Sequence, residues 1–169
     1  MAHFTPGGIK LPKDSTNETP EGFGARARRP AGRLLALDLG EKRVGVAVSD
    51  ELQLTVRPLP YLRRTNWKQL LVAVAELLQR FDARALVIGL PLGPEGTEGE
   101  AAGYALRLAR NFELSLKVPV FLQDERLTSR EAEERLRAEG LRDEILRERV
   151  DSEAAAVILR DYLAAAGRE

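Results

Sequence analysis

The sequence predicts an α/β fold, a mixed five-stranded sheet with helices on both faces. Two apolar runs, Leu34-Leu35-Ala36-Leu37 and Ala85-Leu86-Val87-Ile88-Gly89-Leu90, lack polar alternation and read as strands buried on both faces. Between them Trp67, Leu70, Leu71, Val74, Leu78 and Phe81 recur at helical spacing. Hairpin-joined strands come first and strand–helix–strand crossovers follow, and such crossovers require parallel neighbours.

Residues 1–32 are rich in Pro, Gly, Ser, Thr and Asn and show no period. They are expected to form a disordered N-terminal extension, with the folded domain over 33–169. Lys10, Lys13, Arg26, Arg28, Arg29 and Arg33 against Asp14, Glu18 and Glu21 make this end basic, on a chain of zero net charge. A solubilising tail is the reading adopted.

Strand one is expected over about 33–38, followed by a tight turn at Gly40 and strand two over about 44–49. Strand three, about 55–62, carries Pro58 and Pro60, which confine it to an edge. A helix then precedes strand four at 85–90. Thr97 and Glu100 read as a capping box opening a helix with the stripe Ala101, Ala105, Leu108, Phe112 and Leu116. Strand five covers 119–123, and Thr128 with Glu131 reads as the cap of a short helix ending at Gly140. The charge-rich segment 141–149, with Arg142, Arg147 and Arg149, is expected to be mobile, and the last helix to begin near Asp151. The economical sheet pairs the first three strands antiparallel and strands one, four and five parallel, with strand one central. That is the ribonuclease H-like arrangement.

Composition narrows the chemistry. The 169 residues, 44% of them apolar, suit one domain plus a tail. With no cysteine, disulfides, thiolate nucleophiles and thiolate zinc sites are excluded, and a single histidine, His3, leaves no imidazole cluster. Carboxylates remain as acids, bases and ligands, which favours Mg²⁺ or Mn²⁺. No stretch approaches the roughly 20 apolar residues of a membrane span. The first residues lack a signal-peptide run, so no membrane and a cytoplasmic location are expected.

In such a sheet the C-terminal ends of strands one, four and five share one rim, where open α/β sheets bind ligands. Asp38 ends the first, and a carboxylate there faces a large desolvation cost unless a cation meets it. Asp124-Glu125-Arg126 follows the fifth. Asp151 shares a helical face with Ala155, Ile158 and Tyr162, although alone it reads as an N-cap, with Ser152 as competitor. Asp38, Glu125 and Asp151 are thus the candidate catalytic and metal-binding acids, with Asp124 a substitute or helper for Glu125. Close carboxylates repel unless a cation sits among them. A metal pair about 3.5–4 Å apart could then activate water for phosphodiester cleavage. Lys42, Arg43 and Arg126 are candidate phosphate contacts, and Gly96 with Thr97 offers backbone N–H groups at a helix start. Asp50 is expected at the opposite rim, as a turn residue.

At this point the chain resembles the YqgF, or RuvX, family. The resemblance lies in Asp38-Leu39-Gly40-Glu41-Lys42-Arg43-Val44-Gly45-Val46-Ala47-Val48-Ser49-Asp50, in Gly89-Leu90-Pro91-Leu92 with Gly96-Thr97-Glu98-Gly99, in Asp124-Glu125-Arg126-Leu127-Thr128-Ser129, and in Val150-Asp151-Ser152-Glu153-Ala154-Ala155. It covers roughly residues 33–165 with four motifs in order. It implies a ribonuclease H-like nuclease related to Holliday junction resolvases, with a role in maturing the 5′ end of small-subunit ribosomal RNA. It carries the family's catalytic acids to Asp38, Glu125 and Asp151. Expected partners are nucleic acid, as structured RNA or branched DNA, and the ribosomal small-subunit precursor. The chain is expected to be a monomer or weak homodimer, because no long apolar dimer helix is visible. Two alternatives stand beside the RNA-processing reading: Holliday junction resolution, and a non-catalytic ribosome-assembly factor. One spacing argues for a loose site. Strands one and five lie about 10 Å apart across strand four, so weak metal occupancy is expected without substrate.

Overall fold

The structure is a computed structural model that describes residues 28–93, 99–125, 138 and 143–166, with the side chains of 143–151 and 166 outside that description. Strands β1 (Leu34–Leu39), β2 (Arg43–Ser49), β3 (Val56–Arg63), β4 (Ala85–Leu90) and β5 (Val120–Asp124) form one sheet in the order β3-β2-β1-β4-β5. Pairs β1·β2 and β2·β3 are antiparallel, and β1·β4 and β4·β5 are parallel. Helices α1 (Trp67–Arg80), α2 (Glu100–Ser115) and α3 (Asp143–Ala166) complete the described elements.

Strand alternation divides the core. Leu35, Leu37, Val46, Ile88 and Val120 point to one face, against Leu70 and Val74 of α1 and Leu108 and Phe112 of α2. Leu34, Ala36, Val87 and Phe121 point to the other, against Ile158 and Leu159 of α3. Each such fully buried Leu or Ile contributes roughly 1.5–3 kcal/mol. Ala155 and Ala156 lie against Ala47, small residues on both sides that let α3 approach the sheet closely. The prolines of β3 sit at the sheet edge as expected. The β2·β3 register slips between Val44 and Val46, a bulge opposite Gly45.

Two helix starts differ from expectation. α2 begins at Glu100 with Gly99 as its N-cap and no side-chain cap, so Glu100 opens the helix rather than sitting third in it as the capping box expected, and Thr97 lies outside the described residues. A box would have placed Gly99 inside the first turn, where glycine is disfavoured. Ala102 rather than Ala101 then joins the buried stripe. α3 begins at Asp143, not near Asp151. Glu, Leu and Arg in 143–150 are strong helix formers, and their propensity outweighs the charge density that suggested a mobile segment. Asp151 is therefore an interior helical residue, and its N-cap reading falls. The cap reading of Ser152 falls with it: its buried hydroxyl donates to the Leu59 carbonyl at 2.7 Å, tying α3 to the edge strand. Ser152→Ala should lower stability by about 1 kcal/mol, read as a reduced urea midpoint.

The short helix expected over 128–140 and the extension over 1–27 lie outside the described residues. Residues 28–32, grouped with that extension by composition, touch the domain. Arg29 Nη1 donates to the Leu163 carbonyl at 3.4 Å, and Gln53 Nε2 donates to the Pro30 and Gly32 carbonyls at 2.8 and 2.7 Å. Among the described residues, no helix is long and apolar enough to cross a membrane.

Candidate active site

Asp38 is the fifth residue of β1 and stands opposite Gly45 of β2. It alternates with Leu34 and Ala36, which places it on the α3 face. The chain turns immediately after it: Gly40 N–H donates to the Asp38 carbonyl at 3.1 Å. A Cβ at Gly40 would lie 2.5 Å from the Arg43 carbonyl oxygen. Only glycine fits there, so the turn keeps Asp38 at the rim.

Glu125 follows β5. Its N–H donates to the Leu90 carbonyl at 3.1 Å, which extends the β4·β5 ladder by one residue and fixes its orientation. It alternates with Phe121 onto the α3 face, whereas Asp124 alternates with Val120 and Leu122 onto the other. Alternation thus selects Glu125 over Asp124 as the neighbour of Asp38.

The spacing across β4 is bridged by a gap. A Cβ at Gly89 would lie 2.5 Å from Glu125 Oε2 and 2.6 Å from Ile158 Cδ1. Because Gly89 has none, the Glu125 side chain crosses the fourth strand and hydrogen-bonds Asp38. Burial, then the Asp38 charge, the hydrogen bond to Asp38 and the Asp124 charge push the Glu125 carboxyl up to about 8. At neutral pH Glu125 holds a proton and donates it towards Asp38. Glu125 Oε2 is shut off from solvent, and no described residue donates a hydrogen bond to that atom.

Asp151 lies on α3 one turn before Ala155 and two before Ile158, and so shares their side of the helix. Its side chain is outside the described residues, as are Gly96, Thr97 and Arg126. Among the described residues no three acids or imidazoles converge as metal ligands. Asp38 and Glu125 do converge, and the third candidate is the one whose side chain is not described. Lys42 is exposed and Arg43 half-buried in the hairpin beside Asp38, with the Arg43 guanidinium 5.1 Å from the Tyr61 ring centre. Asp50 lies at the far rim as a turn residue: its Oδ1 accepts from the Leu54 and Thr55 N–H groups at 2.7 and 2.8 Å. The Thr55 bond leads in holding its carboxyl below the usual range.

Comparison with known proteins places this geometry in a lineage. The sequence model of RuvX, described as Holliday junction resolvase, matches residues 32–165. The chain belongs to the RuvX family. A relative from Anaeromyxobacter sp. (strain Fw109-5), named "Putative pre-16S rRNA nuclease", is 44% identical over 131 residues, 78% of this chain and 96% of its own length. A relative of the same name from Syntrophus aciditrophicus (strain SB) is 43% identical over 137 residues, 81% of this chain and 91% of its own. T. thermophilus RuvC in complex with Holliday junction substrate superposes with a TM-score of 0.50 at 19% identity, covering 80% of this chain and 96% of RuvC. At that identity the likeness speaks for the ribonuclease H-like fold alone.

Sequence reasoning did not single out two features beside the acid pair of this RuvX-family chain. Gly89 entered only as part of a strand and a motif, when its lack of a side chain is what admits Glu125. Arg64 was not singled out. Its Nη1 donates to the Gly40 carbonyl at 2.8 Å and its guanidinium lies 4.1 Å from the Tyr104 ring centre. Tyr104 is 40 residues further along the chain, so no local pattern links them.

Proposed function

We propose that this chain is a metal-dependent nuclease that hydrolyses phosphodiester bonds, and that its substrate is the 5′ region of the pre-16S ribosomal RNA. The observation that carries the reading is the Asp38–Glu125 pair. Two carboxylates are pressed together at the C-terminal rim of the sheet, one of them protonated by burial, with a desolvated oxygen that no described donor reaches. Folding two acids together this way is unfavourable unless the site serves a cation. The donor set is all oxygen, which suits Mg²⁺ or Mn²⁺. Asp38 and Glu125 would hold the ion, with Asp151 as the third ligand from α3. When bound, the ion would activate water and neutralise charge developing on the phosphate. The chain's own residues orient and exclude. The Gly40 turn and the ladder bond at Glu125 fix the two carboxylates, and Ile158 walls the pair from water on the α3 side. Lys42, Arg43, Arg126 and the backbone at Gly96 and Thr97 are the proposed phosphate contacts, and the protein acts in the cytoplasm. Residues 33–169 form the nuclease domain, preceded by a basic segment whose residues 28–32 pack onto it.

The RNA assignment is supported by the names of the relatives, and the description of the family favours a second reading, Holliday junction resolution. A resolvase must cut symmetric strands and should be a stable two-fold dimer, whereas the RNA-processing reading predicts a monomer or weak dimer. The test is cleavage of structured RNA and of four-way DNA junctions with Mg²⁺ or Mn²⁺, by wild type, Asp38→Asn, Glu125→Gln and Asp151→Asn. Wild type should cut RNA preferentially, and each variant should lose at least about 100-fold in rate. Equal cutting by all four proteins would show the site to be elsewhere. Binding by all four with cutting by none would mark a non-catalytic assembly factor.

A further inference from the structure

The hairpin turn and the end of β3 carry a local excess of cations on a domain that is otherwise slightly acidic. Lys42, Arg43, Arg63 and Arg64 lie there against Glu41, and Arg43 and Arg63 are directly paired across β2 and β3. Two of these arginines are set against tyrosines on opposite faces of the sheet. Arg43, two residues from Gly45, lies on the Asp38 face with Tyr61. Arg64 lies on the other face, over Tyr104, which packs against the α1/α2 core. Arg107 approaches the same ring at 5.9 Å. Arg64 is held at three points. Its side chain is bonded to the Gly40 carbonyl, its N–H donates to the Lys42 carbonyl at 3.0 Å, and its guanidinium lies over the Tyr104 ring.

The side-chain bond to Gly40 uses one of five guanidinium donors, and the residue remains half-exposed at the rim. A guanidinium held over a ring and bonded to a carbonyl has already lost much of its rotamer freedom, so gripping a phosphate with its remaining donors costs little further ordering. From this we infer that Arg64 and Arg107, carried on Tyr104, form a second phosphate clamp. The clamp continues the Arg43–Tyr61 pair over the hairpin onto the α1/α2 side. The substrate strand thus crosses the sheet edge, with the phosphate to be cut over Asp38 and the flanking phosphates beyond the turn at Gly40. The inference rests on the nuclease reading, because it takes the ligand of this rim to be a nucleic-acid strand.

The test is binding without divalent metal, so that it does not depend on cleavage. A fluorescein-labelled single-stranded RNA of about 20 nucleotides, longer than one small domain covers, is titrated with the full chain at several salt concentrations. Arg64→Gln and Arg107→Gln are compared with Arg84→Gln, which removes the same charge from an exposed Asp82 pair just before β4, at the far rim. Each clamp variant should weaken binding about three- to tenfold at 0.1 M salt and flatten the dependence of log K on log salt by about 0.7. Arg84→Gln should leave the slope unchanged. If Arg64→Gln only lowers thermal stability and Arg107→Gln, an exposed residue, binds with wild-type affinity and slope, the clamp does not exist. If the clamp variants lose binding while wild type cuts no substrate, the clamp stands and the nuclease reading fails.

Discussion

Gly89→Ala is expected to reduce cleavage by about 100-fold while leaving every proposed catalytic acid in place. The added methyl group would overlap Glu125 Oε2 and Ile158 Cδ1, at 2.5 and 2.6 Å. Both atoms are the ends of flexible side chains, so they can yield and the β4 backbone stays put. The strain should be at the low end for overpacking, about 1 kcal/mol. What yields, however, is the carboxylate that must meet Asp38. A metal or phosphate contact misplaced by an ångström loses most of its value, so activity falls much further than stability. Urea denaturation and cleavage rates on the same preparation check this. A variant that remains folded and cuts at the wild-type rate would show that Glu125 need not lie over β4.

Glu125→Gln is expected to stabilise the metal-free protein above neutral pH. The sign follows from the direction of the shift. In the unfolded chain Glu125 titrates near the ordinary 4.5, and in the folded protein near 8, so the folded state holds the extra proton between these values. Its stabilising contribution is complete below pH 4.5 and is lost as pH rises through 8, at up to about 1.4 kcal/mol per pH unit. Wild type should therefore lose a few kcal/mol of stability between about pH 5 and pH 8. The glutamine keeps the shape, donates an N–H to Asp38 and does not titrate, so its stability should be nearly flat over that range. Thermal melts in EDTA across the pH range measure the difference. A wild-type curve as flat as that of Glu125→Gln would mean the two carboxylates are not in contact. The variant gains stability where it loses cleavage, as expected of a site whose ligands repel until an ion arrives.

Asp38 was legible in the sequence because an uninterrupted apolar strand cannot carry a carboxylate without cause. The sheet order was legible because two prolines allow β3 only an edge and the crossovers require parallel strands. The reach of Glu125 was not. Strand spacing counts backbone positions, and the real geometry depends on a long side chain passing through the space a glycine leaves. The starts of α2 and α3 were misplaced for local reasons. Thr97 and Glu100 have the spacing of a cap but enclose Gly99, and 143–150 is dense in charge yet made of helix formers. Periodicity groups Asp151 with Ala155 and Ile158, although the helix carrying it begins eight residues earlier. The Arg64–Tyr104 stack joins β3 to α2, and only the folded chain brings them together.

The central claim is that Asp38 and Glu125 hold a shared proton in place of a cation. It is tested most directly by the protons released when saturating Mn²⁺ is added to the full chain at pH 7 in weakly buffered solution. With its carboxyl pushed up to about 8, Glu125 is mostly protonated at that pH. Ion binding must displace that proton. Wild type should release protons on Mn²⁺ addition, up to one per chain, and Glu125→Gln almost none. No release from wild type, or equal release from both proteins, would contradict the assignment.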